Sequence, residues 1–233
     1  LTLAGFGCAA RSTRRIPRQL PELAKDAEQT FLSYLQAGYT TEDFENVDGV
    51  TVNTQYPSIS TSVGDFTSET PGTGGACNND GYSCADGLAI LDGTNNPFSG
   101  RFNTTPAAPD GNKWLDSFDA KDFLFTVASG NNAVGLFITD PNDAGGRFDF
   151  STTDGSSYTL TVDDIFGSSL GNKGVFYVSF ISELDIESIH IFTDDPNDGF
   201  GVDGVTVGRV PEPGTLALLG LALLGAGLIR RRG

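Results

Sequence analysis

Beyond Trp114 the chain is a series of short runs in which every second residue is apolar, and that period fits half-buried strands rather than helices. Phe123, Phe125 and Val127 share one face of a run, as do Val134, Leu136 and Ile138 in the next. Phe148 with Phe150, Tyr158 with Leu160 and Val162, Ile189 with Ile191, and Val205 with Val207 continue the pattern. Gly174 to Ile181 (GVFYVSFI) is apolar almost throughout, which suits a central strand covered on both faces. Clusters of Asp, Asn, Gly and Pro separate the runs at intervals of about ten residues. The fold expected is all-β, an antiparallel β-sandwich of jelly-roll type with roughly nine strands.

The first half departs from this period. Leu20, Leu23, Ala24, Ala27, Phe31 and Leu35 recur at three and four residues, with Pro21 and Glu22 at the start and Gly38 after the end. This predicts a short amphipathic N-terminal helix within 20–38, laid across a sheet. The sandwich domain is expected over 41–209, with Phe44-Glu45-Asn46-Val47 and Val50-Thr51-Val52 as its first strands. Gly64 to Asn112 is rich in Gly, Asn and Pro and reads as loops decorating one end, with Leu88 to Leu91 as its strand.

The last residues, 210–233, follow another rule. Val210-Pro211-Glu212-Pro213 leads into the uncharged run Gly214 to Ile229, which Arg230, Arg231 and Arg232 close. As a helix the run extends about 24 Å at about 1.5 Å per residue, short of a hydrocarbon core of about 30 Å. It spans a bilayer if the arginines snorkel or the bilayer thins. The reading is a C-terminal transmembrane helix with a cytoplasmic arginine stop and everything before Pro211 outside; the alternative is a buried core helix. Pro211, Glu212 and Pro213, the Leu/Gly/Ala-rich span and the arginine end, in that order, resemble the PEP-CTERM sorting signal. The resemblance implies export, an inner-membrane intermediate, and an exosortase, a membrane cysteine protease, as partner. It further implies delivery to the cell surface or extracellular matrix of a Gram-negative envelope, in a setting of exopolysaccharide or biofilm. Glu42-Asp43-Phe44-Glu45 and Asp195 to Val207 (DPNDGFGVDGVTV) resemble the opening and closing strands of extracellular sandwich domains common in proteins with this tail.

Between Asp26 and Gly208 stand 28 acidic and five basic side chains, a net charge of −23. Such a field repels nucleic acid and anionic lipid, which excludes nucleic acid as a partner, and it favours multivalent cations. No methionine occurs, and Leu1 to Ala10 reads as a signal remnant within a segment 1–19; the arginines that follow, Arg11 to Arg18, argue against that reading because they would hinder translocation. Cys77 and Cys84 enclose CNNDGYSC and are expected as a disulfide in an oxidising compartment, metal binding being the alternative.

Two loops resemble each other, Thr139-Asp140-Pro141-Asn142-Asp143 and Asp194-Asp195-Pro196-Asn197-Asp198, and they lead on to Asp149 and Asp203 respectively. Oxygen donors on a glycine-rich loop suit Ca2+, and Asp194, Asp195, Asn197, Asp198 and Asp203 are its candidate ligands. Asx-turns account for the same residues through the backbone alone. Catalytic residues are not expected. The only histidine, His190, lies in an alternating strand where it faces outward, and no G-x-S-x-G, H-E-x-x-H or P-loop occurs. Trp114 with Tyr82 and Phe98 reads either as a sugar-stacking platform or as core. The function expected is an exported, non-catalytic surface or matrix protein. The alternatives are a carbohydrate-binding module and an enzyme acting on extracellular polysaccharide.

Overall fold

The computed structural model describes residues 20–73, 82–94, 98, 100–104, 111–141, 146–161, 174–195 and 197–211. They form one α-helix, α1 (Leu20–Tyr34), and the strands β1 (Thr40–Glu42), β2 (Gln55–Tyr56), β3 (Ser58–Thr61), β4 (Gly64–Thr70), β5 (Leu88–Asp92), β6 (Lys113–Asp116), β7 (Asp122–Val127), β8 (Ala133–Thr139), β9 (Arg147–Thr152), β10 (Ser157–Thr161), β11 (Val175–Ile181), β12 (Ile186–Phe192) and β13 (Gly201–Gly208). A seven-stranded sheet runs β11-β8-β13-β6-β5-β2, with β1 also paired to β13; a six-stranded sheet runs β10-β9-β12-β7-β4-β3. Neighbouring strands are antiparallel, as Val175 opposite Thr139 and Ile189 opposite Phe125 illustrate.

The alternation seen in the sequence builds one core between the sheets. Phe66, Phe123, Phe125, Phe148, Ile189 and Ile191 of the six-stranded sheet meet Leu88, Ile90, Leu115, Val134, Leu136, Ile138, Val202 and Val205 of the other. Phe66 stacks on Phe125 with ring centroids 4.4 Å apart. At about 1.5–3 kcal/mol for each large apolar side chain buried, this shared interior is the main source of stability.

The outer faces of the two sheets differ. On the seven-stranded sheet, α1 covers β8 and β11, so that Ala24 packs with Phe137, Val175 and Tyr177, and Phe31 approaches Tyr177 at 5.8 Å between ring centroids. Burial there, with Glu28 nearby, pushes the Tyr177 phenol above its ordinary range. Over β5 and β6 a second small core gathers Ala89, Leu91, Phe98, Trp114 and Phe118. Among the described residues no helix covers the outer face of the six-stranded sheet, and β7, β9 and β12 alternate buried with more exposed positions.

Several expectations are corrected. The described residues hold thirteen strands rather than about nine. Neither Phe44 to Val47 nor Val50 to Val52 is a strand; Phe44 takes a positive φ of 56° as a turn residue, its amide bonding back to Glu42 Oε1 at 2.9 Å while its ring is fully buried. The supposed loop region from Gly64 opens with a true strand, β4, whose single large apolar residue, Phe66, is a core residue. Gly174 to Ile181 is not central: β11 is an edge strand, and its second apolar face is covered by α1 rather than by another sheet. The helix ends at Tyr34, four residues before Gly38, which carries a φ of 97°. No helix among the described residues is long and apolar enough to cross a membrane, and the run Gly214 to Ile229 lies outside them.

Strand directions give the sandwich two unlike ends. Short turns 62–63, 128–132, 153–156 and 182–185 lie at one end, where β13 also delivers Arg209. The described parts of the longer connections, residues 71–73, 82–87, 117–121, 140–141, 146, 174, 193–195 and 197–200, lie at the other.

Candidate functional site

At the long-connection end, Arg101 is 2% exposed and its guanidinium meets three carboxylates: Asp116 at 3.0 Å, Asp119 at 3.3 Å and Asp198 at 3.2 Å. The guanidinium also lies 4.4 Å over the Phe98 ring. Asp116 accepts further bonds from Trp114 Nε1 at 3.1 Å and the Phe118 amide at 3.1 Å. Phe118 and Asp119 both take positive φ, 47° and 63°, which turns the connection after β6 back under Arg101. Gly199 is required opposite that turn, because a Cβ there would fall 2.6 Å from the Asp119 amide nitrogen and from Ser117 Oγ. Burial works against the Arg101 charge, but the pull of Asp116, Asp119 and Asp198 outweighs it and holds the group protonated. Burial likewise pushes the Asp116 carboxyl above its ordinary range, with Arg101 pulling the other way.

Two more carboxylates fasten the segment that carries Arg101. Asp203, buried on β13, accepts the Thr104 amide at 2.6 Å and its hydroxyl at 3.0 Å, and takes the Gly204 amide at 2.7 Å. Glu45 Oε1 accepts the amides of Asn112 and Lys113 at 2.8 and 2.9 Å and Asn103 Nδ2 at 3.2 Å.

These bonds locate the residues singled out for calcium. Asp194, Asp195 and Asn197 are exposed, and Asp195 Oδ1 accepts the Asn197 amide at 2.9 Å in an Asx-turn. Asp198 serves Arg101 and the Gly199 amide, and Asp203 serves Thr104 and Gly204. Among the described residues no group of three or more His, Cys, Asp or Glu is arranged to hold a metal ion. In the first loop, Asp140 is buried with φ 60° and its carboxylate lies against Gly100; Asn142 and Asp143 lie outside the described residues. Asp149 sits apart on β9 with Arg147 and Thr159. Cys77 also lies outside the described residues, and Cys84 is described only as the first residue of a 3-10 turn, Cys84–Asp86, capped by Ser83.

Trp114, Tyr82 and Phe98 do come together, around Phe118, with Tyr82 at 4.7 Å and Phe98 at 5.2 Å between ring centroids. They form an interior: Trp114 is 1% exposed and Phe98 is buried, so the platform reading gives way to the core reading.

Among the described residues, the outer face of the six-stranded sheet carries a cationic and aromatic row. His190 stacks on Phe192 at 5.6 Å with a 10° interplanar angle, and the Arg147 guanidinium lies 4.1 Å over the same ring. His190 Nδ1 meets Asp122 Oδ1 at 2.9 Å, and Arg147 Nε donates to Asp149 Oδ2 at 2.9 Å. Across the strands, Ser151 stands opposite both Ser157 and Ser188, and Ser188 opposite Thr126. The surface therefore presents hydroxyls and carboxylates around one basic strip. His190 faces outward, as the alternation predicts.

The junction to the tail is built from parts with no signal in the sequence. Buried Asn132, just before β8, brackets Val210, accepting its amide at 2.8 Å on Oδ1 and donating Nδ2 to its carbonyl at 3.3 Å. Gln36 N donates to the Arg209 carbonyl at 2.8 Å. Arg209 reaches the Gly130 carbonyl at 2.7 Å and Asp185 at 2.8 Å.

Among solved structures, the chain is similar to the K2 cleaved adhesin domain of Lys-gingipain, at 12% identity over 73% of this chain and 99% of that one, with a TM-score of 0.37. It is similar to the family 11 carbohydrate-binding module of a cellulosomal cellulase of Clostridium thermocellum, at 12% identity over 76% and 98%, TM-score 0.33. It also resembles a glycoside hydrolase family 43 arabinoxylan arabinofuranohydrolase of Bacillus subtilis, at 16% identity over 52% of this chain and 24% of that one, TM-score 0.30. No curated protein matches the chain. Its C-terminal segment, residues 209–232, carries the PEP-CTERM protein-sorting motif.

Proposed function

We propose that this chain is an exported, non-catalytic protein with a sandwich of jelly-roll type, sorted through its tail to the cell surface or extracellular matrix and associated there with exopolysaccharide. The observation that carries the reading is the sorting motif at 209–232, which continues β13 directly. Residues 210–233 act first as a transmembrane anchor with a cytoplasmic arginine stop, and an exosortase then processes it. Fractionation of producing cells with intact-mass measurement tests this. The Pro211→Ala, Pro213→Ala double variant should keep its fold and accumulate unprocessed in the inner membrane. Normal mass at the surface would sink the sorting reading.

A carbohydrate-binding role is the second reading, favoured by the outer face of the six-stranded sheet. Asp122, Asp149 and the serine row offer acceptors and donors to sugar hydroxyls beside the His190, Phe192 and Arg147 strip. A glycan array tests it, and release of reducing ends would reveal an enzyme instead. Two further proposals complete the reading. Cys77 and Cys84 form a disulfide, which a linked peptide in a non-reduced digest would reveal. Calcium serves the loop Asp194 to Asp203, and the test is a rise in Tm beyond that given by sodium chloride at matched ionic strength.

A further inference from the structure

We infer that the folded sandwich shields the chain up to Val210 and so sets the N-terminal limit at which the tail is cut. The inference rests on the processing proposed above and adds to it where the cut falls.

The argument starts from the backbone groups that a protease must engage. A protease that holds its substrate extended does so through main-chain hydrogen bonds on both sides of the bond it cuts. Here those groups already have partners. Gly208 O accepts the Asn132 amide at 3.1 Å, Arg209 O accepts the Gln36 amide at 2.8 Å, and both polar groups of the Val210 backbone are held by the Asn132 side chain. Gly208 leaves no slack, since a Cβ on it would stand 2.9 Å from Tyr39 Cβ and 3.2 Å from Leu35 Cδ1. The Arg209 side chain is tied to Gly130 and Asp185 on two neighbouring turns.

The clamp stops where its chemistry runs out. Pro211 has no amide hydrogen to donate and is exposed. The first residue past the clamp that the fold leaves exposed is therefore Pro211, which opens the Pro211-Glu212-Pro213 tripeptide. An enzyme that reads Pro211-Glu212-Pro213 acts directly after the clamped Val210 in the chain, and Asn132 acts as the positioning residue that fixes the boundary.

Trypsin supplies a probe independent of the sorting enzyme, because the Arg209-Val210 bond is within its specificity. On the full chain purified in detergent, the fragment ending at Arg209 should form at least tenfold more slowly in the parent than in Asn132→Ala. Asp185→Ala, which loses only the ion pair, should fall between them and covers the case in which Asn132→Ala fails to fold. Equal rates in the parent and in folded variants would overturn the shielding. Protein recovered from the cell surface should end at Pro211 or beyond. An end at or before Val210 would overturn the proposed limit, whereas an intact tail through Gly233 would overturn the processing reading and leave the trypsin comparison to decide the shield.

Discussion

Arg101 carries the charge balance of the long-connection end. Its three partners lie 15, 18 and 97 positions away, so no local pattern announces the cluster. The available hint is compositional: an arginine inside a body with only five basic residues. Removing one member of a buried ion network leaves uncompensated charge, so Arg101→Gln should lose about 3–5 kcal/mol in urea unfolding. Arg101→Lys should recover little, because an ammonium cannot reach Asp116, Asp119 and Asp198 with one planar fork. The pH dependence follows in sign. A carboxyl whose folded pKa is raised stabilises the fold below its unfolded pKa, and that contribution is lost as pH rises through the folded value. Asp116 is such a group, and the variant lacks the guanidinium that opposes the rise. The deficit of Arg101→Gln should therefore shrink as pH is lowered from neutral toward the ordinary aspartate range, which chemical denaturation at several pH values would measure. A deficit independent of pH would show that packing, not charge, is what Arg101 supplies.

At the scale of elements, strands with several alternating apolar residues were legible and those with one were not. Phe123, Phe125 and Val127 announce β7, whereas β4 (GDFTSET) shows only Phe66 and reads as polar loop. Its identity comes from pairing with β7 and β3, which a linear pattern does not contain. Phe66→Ala should cost about 3–5 kcal/mol, as for any core phenylalanine, where the loop reading expects almost nothing. The edge position of β11 was hidden for the opposite reason: an apolar residue signals burial without naming what covers it. Here the cover is α1, so its loss should expose Phe137, Val175 and Tyr177 as one patch. Phe31→Asp should therefore release α1 and drive self-association, visible as a concentration-dependent mass in sedimentation. A variant that stayed monomeric, with α1 still protected from hydrogen exchange, would show that the helix is held by other contacts.

At the scale of the whole molecule, the two unlike ends and the clamped junction predict one orientation for the proposed membrane intermediate. The acidic body and the sorting tail were both legible in the sequence; the clamp on the last residues before the tail was not, because it depends on Asn132, Gln36 and Asp185 meeting Arg209 and Val210 in space. From Val210 to Gly214, where the uncharged run begins, the chain has only Pro211, Glu212 and Pro213, a separation of about 14 Å even when fully extended. If the proposed anchor forms, the turns at 128–132, 153–156 and 182–185 are expected near the headgroups and the end stitched by Arg101 away from them. In the Pro211→Ala, Pro213→Ala variant, trapped before processing, a short epitope inserted after Asp195 should bind antibody on spheroplasts. The same epitope inserted after Asp154 should be shielded, because the gap is much smaller than an antibody. Asp154 and Asp195 are exposed in connections between strands, where added residues are best tolerated, and they mark opposite ends of the sandwich. Inserting about twenty Gly/Ser residues between Val210 and the tail should open the Asp154 epitope, since a flexible linker of that length adds about 25 Å of root-mean-square reach. Equal antibody binding at both positions without the linker would show that the sandwich tumbles freely on its tail, and that the Asn132 clamp is open in the membrane intermediate.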